Sequence, residues 1–371
     1  MISTELLIIG GGPAGLAAGI AAGQRGVKAI VVDENPLPGG QLFKQIHKFF
    51  GSKEHKAGTR GNVIGQHLLK EVEEVGVEVM LNTKAWGIFD DNIVGIVRDG
   101  KSEKVKAEKI ILATGASENA LAFPGSTLPG VMTAGAAQTF INVHRVLPGR
   151  KVVMIGTGNV GLITSYQLMQ AGAEVVAVVE AAPQVGGYDV HANKLRRAGV
   201  PMYLGHTVIK ACGDGDGDSE VCSAIIAPVD EKFQPDLAAA FSIPCDTICF
   251  AVGLTPRIEL VQMAGAATTF IGTLGGHVPL HDKRLKISED ILTAGDIAGV
   301  EEASTAMEEG RLAGIVAAIE LGKLSEVEGN REIQLIYDRM AKLRSGQFGL
   351  KRAVAKGEII RQHEALKGGS R

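Results

Sequence analysis

Cysteine is almost absent. None occurs before position 212, and the four present are Cys212, Cys222, Cys245 and Cys249. So few thiols exclude a disulfide-stapled secreted framework and agree with a reducing compartment. No apolar run reaches about 18 residues, so no transmembrane segment is expected. No long basic run occurs and the net charge is −3, which argues against a nucleic-acid partner. The start, MISTELLIIGGG, enters an apolar strand pattern without the charged stretch and cleavage site of a secretory signal. The expectation is a cytoplasmic chain, membrane-associated only through a partner. Aromatic residues are also scarce, at 4%.

Glycine, by contrast, is abundant, with 49 in 371 residues, and the chain is 45% hydrophobic and 21% charged. That balance suits nucleotide-binding α/β domains, where backbone must come close to phosphate. The length predicts two domains. Two stretches share one grammar: LLIIGGGPAGLAAGIAAGQRGVKAIVVDE, residues 6 to 34, and KVVMIGTGNVGLITSYQLMQAGAEVVAVVE, residues 151 to 180. Each reads as buried strand, glycine turn, small-residue helix and second buried strand.

In the first, Gly10-x-Gly12-x-x-Gly15 closes the turn and Pro13 and Ala14 open the helix, whose free amides suit a pyrophosphate. Asp33 stands at the tip of the following strand, where a carboxylate can accept from a ribose, and adjacent Glu34 can share that role. In the second, Gly156-x-Gly158-x-x-Gly161 contains Asn159 and Val160, and Glu180 holds the strand tip. A carboxylate there repels a 2′-phosphate, so NAD(H) is expected over NADP(H). Another adenine nucleotide satisfies the same contacts. Arg196 and Arg197, in KLRRAGV, read as a solvated helix end.

The expected fold is α/β: two Rossmann-like dinucleotide-binding domains, the second inserted into the first, with a short helical C-terminal extension. Residues 1 to 120 and 275 to 325 form the outer domain, 121 to 274 the inserted one, and 326 to 371 the extension. Meander-like segments follow each glycine unit, the second expected as PMYLGHTVIKA, EVCSAIIAPVD and DTICFAVG. Cys245 and Cys249 read as core thiols in one strand, too far apart to bridge. No metal site is expected. DGDGDSE, residues 214 to 220, reads as a polar hairpin tip and not as a calcium loop, because Ile225 stands where that loop needs glutamate. The histidines His144 and His191 read as structural. His47, His55, Lys56 and Arg60, in residues 47 to 61, can face an anionic substrate or form a solvated or partner-contacting loop.

The order GxGxxG, Ala113-Thr114-Gly115, GxGxxG, then Thr293-Ala294-Gly295-Asp296 resembles the two-dinucleotide-domain, thioredoxin-reductase-like flavoproteins. The resemblance implies FAD in the outer domain, with Asp296 on its ribityl and pyrophosphate region. It places Ala303 and Ser304 of the following helix near the flavin, with further contacts at Ala85, Thr114, Gly115 and Gly295. On the nicotinamide side it adds Gly253. The run Gly39-Gly40-Gln41 is similar to the loop that lies by the flavin in disulfide reductases, with Gln41 at the flavin edge. Those enzymes carry a redox dithiol, and this chain has none in the matching places.

The wider wording, VVDENPLPGGQLFKQ and GVMTAGAAQTFINVHRVLPGRKVVMIGTGNVGLITSYQLMQAGAEVVAVVE, resembles the alpha-type subunits of multi-subunit amine and amino-acid dehydrogenases. Sarcosine oxidase, opine oxidase, hydrogen cyanide synthase and dye-linked proline dehydrogenase complexes contain such chains. The implied function is an FAD-dependent oxidoreductase subunit that moves electrons between flavin, NAD(H) and a partner carrier. The implied partners are a catalytic flavoprotein subunit that oxidises the amine or amino acid and a small iron–sulfur subunit, since residues 326 to 371 contain no cysteine. No catalytic side chain is assigned. A free-standing NADH-dependent flavin reductase and a nucleotide-binding scaffold remain as alternatives.

Overall fold

A computed structural model describes residues 1–49, 52–214 and 220–368. The chain divides into two compact units, one of Met1–Ser117 with Leu254–Arg371 and the other of Glu118–Gly253. The second is an insertion in the first. The return comes earlier than expected from the sequence: residues 254–274 lie with the outer unit, not the inserted one. The reason is apolar burial, since Leu260 and Val261 pack into the outer core with Ile88, Val94 and Ile110.

The outer unit begins with β1 (Ile2–Ile9), α1 (Pro13–Gly23), β2 (Ala29–Val32), α2 (Gly61–Glu74), β3 (Glu78–Met80), β4 (Thr83–Phe89), β5 (Ile93–Arg98) and β6 (Lys101–Leu112). One sheet runs β3-β2-β1-β6-β5-β4. The β3-β2-β1-β6 part is parallel, and β6-β5-β4 is an antiparallel meander. Leu6–Ile9 and Ile110–Leu112 are buried on both faces, as central parallel strands must be. The short strand β7 (Ala116–Glu118) follows.

The inserted unit contains β8 (Val131–Thr133), α3 (Ala134–Thr139), β9 (Lys151–Ile155), α4 (Asn159–Gln170), β10 (Glu174–Glu180), α5 (Asp189–Arg197), β11 (Met202–Leu204), β12 (His206–Gly213), β13 (Val221–Pro228), β14 (Phe241–Pro244) and β15 (Thr247–Phe250). Its main sheet, β11-β10-β9-β15-β8, is parallel throughout. A separate antiparallel sheet is ordered β12-β13-β14. DTICF therefore does not close the expected meander. Its TICF part is buried and sits beside β9, while the partly exposed FSIP supplies the third antiparallel strand. The hairpin tip expected in DGDGDSE falls at residues 215–219, outside the described residues.

On return come β16 (Leu254–Pro256), α6 (Glu259–Met263), β17 (Thr268–Ile271), β18 (Gly276–Pro279), β19 (Ile291–Thr293), α7 (Ala303–Glu320), α8 (Glu326–Leu343) and α9 (Gly346–Gly368). Strand β19 pairs in parallel with β6 and completes the outer sheet. Helix α7 lies on α1 through small residues. A Cβ at Gly310 would stand 2.0 Å from the Ala14 carbonyl oxygen, and one at Gly314 would stand 2.4 Å from that of Ala18. This close approach sets Gly310, seven residues into α7, against the first turn of α1. Helix α8, capped by the Ser325 side chain, buries Ile333, Ile336 and Met340 against the same core. No helix among the described residues is long and apolar enough to cross a membrane.

Candidate functional site

In the outer unit the glycine turn joins β1 to α1. Gly10 has φ +113°, and a Cβ there would be 2.2 Å from the Ala113 carbonyl oxygen. A Cβ on Gly15 would meet the Gly10 carbonyl oxygen at 1.8 Å. Gly12 caps α1 and faces open space, with Pro13 as the first helical residue. The free amides behind it suit an anion. The loop Gly39–Gln41 lies directly on this turn: Gly39 donates its amide to the Gly11 carbonyl at 2.9 Å, and a Cβ on Gly40 would be 2.9 Å from the Gly12 Cα. Gln41 is exposed in the short 3-10 turn that follows.

Asp33 and Glu34 do different things. Asp33 is buried. One of its oxygens accepts from the Gly11 amide at 2.6 Å, and the other accepts from the amide and side chain of Asn35 at 2.7 and 2.8 Å. It holds the turn shut. Glu34 is exposed and meets Arg257 at 2.7 Å and Lys84 at 3.5 Å. The Arg257 hydrogen bond keeps its carboxyl below the usual range against the opposing effect of burial. Glu34, Asn35, Asn82, Lys84 and Asp99 line an open cleft of ≈ 560 Å³. Thr83, two residues before half-buried Ala85, donates its amide to the Asp33 carbonyl at 2.8 Å. Arg257 was not singled out in the sequence. Its amide donates to the Gly115 carbonyl at 3.0 Å, and its carbonyl accepts from the Thr114 hydroxyl at 2.9 Å.

Gly295 touches the same turn from the other side, since its Cβ would be 2.7 Å from that of Ala14. Half-buried Asp296 accepts from the Glu301 amide at 3.2 Å, and burial pushes its carboxyl up to about 6. Ala303 and Ser304 occupy the first turn of α7, so their amides are free of helical partners. Asp33, Gly39, Gly40 and Gly295 thus meet the glycine turn or the first turn of α1, while Thr114 and Gly115 join Arg257 and, through it, Glu34. The close approaches at Gly10 and Gly15, which only glycine permits, and the open space at Gly12 fit an extended dinucleotide laid across the turn.

The inserted unit repeats this construction. A Cβ on Gly156 would be 2.4 Å from the Ala251 carbonyl oxygen, one on Gly161 would be 2.3 Å from that of Gly156, and Gly158 caps α4 facing open space. Glu180 closes the turn as Asp33 does. One oxygen accepts from the Thr157 amide and hydroxyl at 2.9 and 2.6 Å, and the other accepts from the Ala182 amide at 3.0 Å. Asn159 Oδ1 accepts from the Tyr188 amide at 2.9 Å, while Val160 is exposed. Gly186 donates to the Thr157 hydroxyl at 2.9 Å, so the loop after Glu180 lies on the turn just as Gly39–Gly40 does in the outer unit. The Gly253 carbonyl accepts from the Asn119 amide at 3.0 Å. Glu180→Ala is expected to remove three hydrogen bonds, costing the inserted unit about 2–4 kcal/mol. An unchanged denaturant midpoint overturns that role.

The remaining sequence expectations separate. All four cysteines are free; Cys245 and Cys249 are buried, and burial pushes both thiols up to about 12. Cys245 precedes β15 instead of lying in it. In the 47–61 segment, His55 is buried and its Nε2 contacts Glu308 at 2.8 Å, while Lys56 pairs with Glu71 and Arg60 is exposed. His55 is therefore an anchor under the loop, neither solvated nor turned outward. Glu308 also meets Arg311 and Arg339; although burial opposes it, these partners bring its carboxyl down to about 2. His191 is buried and His144 exposed. Arg196 and Arg197 are exposed at the end of α5, as a solvated helix end requires.

Two dinucleotide folds on one chain, each with a closed glycine turn, define a two-dinucleotide-domain oxidoreductase. The sequence profile described as pyridine nucleotide-disulphide oxidoreductase matches residues 4–310. The chain belongs to that family, whose members bind FAD and a pyridine-type nucleotide. Among curated relatives it is 27% identical over 370 residues to the HcnB chain of hydrogen cyanide synthase from Pseudomonas aeruginosa, covering 95% of this chain and 78% of the relative. It is 30% identical over 352 residues to an opine oxidase subunit of Agrobacterium tumefaciens, covering 89% and 68%. In fold it is similar to L-proline dehydrogenase from P. horikoshii, with TM-score 0.66 and 22% identity, covering 90% of this chain and 59% of that one.

Proposed function

We propose that the chain is the FAD-carrying subunit of a hetero-oligomeric amine or amino-acid dehydrogenase, passing electrons to a carrier on a partner subunit. The observation that carries this reading is a flavin-type loop without thiols to serve it. Gly39–Gln41 is packed on the glycine turn, yet no cysteine precedes position 212 and no pair stands at CxxC spacing, and burial pushes the Cys245 and Cys249 thiols up to about 12. At neutral pH such thiols hold on the order of one thiolate in 10⁵, far too few for exchange. The names of the relatives support the subunit character and the amine-type donor.

Gly10, Gly12, Pro13, Ala14, Gly15, Glu34, Ala85, Thr114, Gly115, Gly40, Gln41, Gly295, Asp296, Ala303 and Ser304 would hold FAD, with Asp33 shaping the turn. Gly156, Gly158, Asn159, Val160, Gly161 and Gly253 would hold NAD(H) or another adenine nucleotide, with Glu180 in the shaping role. FAD supplies the redox chemistry, taking electrons in pairs and releasing them singly or in pairs. The chain's contribution is to orient the cofactor and place partial positive charge at the start of α7. Its partners would be a catalytic flavoprotein and a small iron–sulfur protein.

Anaerobic addition of NADH to the purified chain is expected to bleach its flavin absorbance, and a Cys245→Ser/Cys249→Ser double variant is expected to bleach at the same rate. Purification from the native source should then yield the chain with partner polypeptides. Bound nucleotide without bleaching would favour a scaffold, and a chain that always elutes alone would favour a free-standing reductase.

A further inference from the structure

The helices after α7 carry two cations into the interior. Lys356, on α9, is 5% exposed, and its Nζ donates to Glu309 Oε1 at 2.7 Å. Arg344, immediately after α8, donates to the same oxygen at 2.6 Å and grips Glu301 through Nε at 3.0 Å and Nη2 at 2.5 Å. The other Glu309 oxygen, Oε2, accepts from the Gly295 amide at 3.0 Å. At the far end of the same loop, the Glu301 amide donates to Asp296 at 3.2 Å. The loop from Gly295 to Glu301 is thus gripped at its first residue through Glu309 and at its last through Glu301, and both grips end on the same two cations.

Charge explains why both cations are present. Asp296, Glu301 and Glu309 bring three carboxylates together, and for Asp296 and Glu309 burial acts toward protonation. For Glu309 burial acts in that direction, but Lys356 and Arg344 outweigh it and bring the carboxyl down to about 2. His281 lies within the field of Lys356 and Glu309; burial and Lys356 push it down to about 4, so it adds no charge.

We propose that the helical C-terminal segment belongs to the flavin site, with Arg344 and Lys356 as positioning residues that hold the Gly295–Glu301 loop through Glu309 and Glu301 so that Asp296 meets the nucleotide. This rests on the FAD reading above. None of the three side chains Arg344, Lys356 and Glu309 needs to touch FAD. Their effect runs through backbone placement, and the conservative exchange Lys356→Arg keeps it because the cation survives.

The test uses the full chain stripped of flavin and titrated with FAD, followed by flavin fluorescence and visible circular dichroism. Lys356→Met is expected to weaken FAD binding by about tenfold or more and to alter the visible dichroism of the flavin that still binds. Lys356→Arg should return to within about threefold of the parent. Glu309→Gln combined with Lys356→Met should recover part of the loss, because the carboxylate left with Arg344 as its one cation is gone and an acceptor for the Gly295 amide remains. Parent-like affinity and dichroism in Lys356→Met overturn this inference alone, provided the parent binds FAD. A parent chain that binds no FAD overturns both this inference and the FAD reading. If Lys356→Met does not fold, the Arg variant and the double variant decide: failure of both to retain flavin while keeping a parent-like thermal transition overturns the positioning role.

Discussion

Asp296→Ala protein is expected to emerge from purification nearly colourless, with FAD affinity reduced by about 30- to 1000-fold. The estimate follows from the loss of about 2–4 kcal/mol of hydrogen bonding to a charged acceptor. Asp296 sits between the glycine turn and the start of α7, and it organises its own loop by accepting from the Glu301 amide. Burial pushes its carboxyl up to about 6, above the ordinary range near 4. The sign of the stability effect is therefore opposite to that of a salt-bridged aspartate. The unfolded chain loses this proton first, so the flavin-free protein loses stability as pH rises from about 4 through about 6. Flavin-free Asp296→Asn should match the parent below about pH 4 and exceed it at pH 7, by on the order of 1–3 kcal/mol, while still losing flavin. Denaturant melts at the two pH values measure this. Full flavin content in Asp296→Ala would falsify the binding role, and a pH-independent gap would remove the electrostatic part.

Gly310→Ala is the second large effect. A methyl group there would stand 2.0 Å from the Ala14 carbonyl oxygen, which is helix backbone and cannot turn aside. Helices α1 and α7 would have to part, and both carry free N-terminal amides assigned above to the proposed nucleotide site. A destabilisation of about 3 kcal/mol or more is expected, with the unfolding temperature down by about 6 °C or more. Flavin retention should fall with it. Gly357→Ala, on α9, is the control: its Cβ would meet only the Arg361 side-chain tip at 3.7 Å, so it should be neutral or gain about 0.5–1 kcal/mol. Equal melting temperatures for the two variants would show that the close approach carries no load.

The glycine turns, the Asp296 strand end and the start of α7 at Ala303 were legible because each is local: a fixed spacing, an apolar strand and a helix start within a few residues. The use of Asp33 and Glu180 was not. Spacing puts a carboxylate at the strand tip but does not say that its oxygens already hold Gly11 and Thr157. The contacts of Arg257 with Thr114, Gly115 and Glu34 join residues far apart in the chain and leave no periodic trace. The same holds for Glu309, Arg344 and Lys356. The return at Leu254 was misplaced because the Gly253–Pro256 break looks like any turn within one domain and does not say which core the chain enters next; only the burial of Leu260 and Val261 against β4 to β6 reveals it. DTICF and FSIP were confused because a short apolar run does not declare whether its neighbours are parallel or antiparallel.

The insertion also fixes an order of events during synthesis. Strand β6 is made before residue 118, but its parallel neighbour β19 and the helix that covers α1 are made only after the whole inserted unit has left the ribosome. The inserted unit, whose sheet is continuous within 118–253, can close while the outer one still waits for its last strand. Until α7 arrives, the small-residue face of α1 has nothing to lie against. The nascent chain therefore carries a finished second fold inside an unfinished first one, and a ligand that needs the start of α7 can be received only after that helix is made.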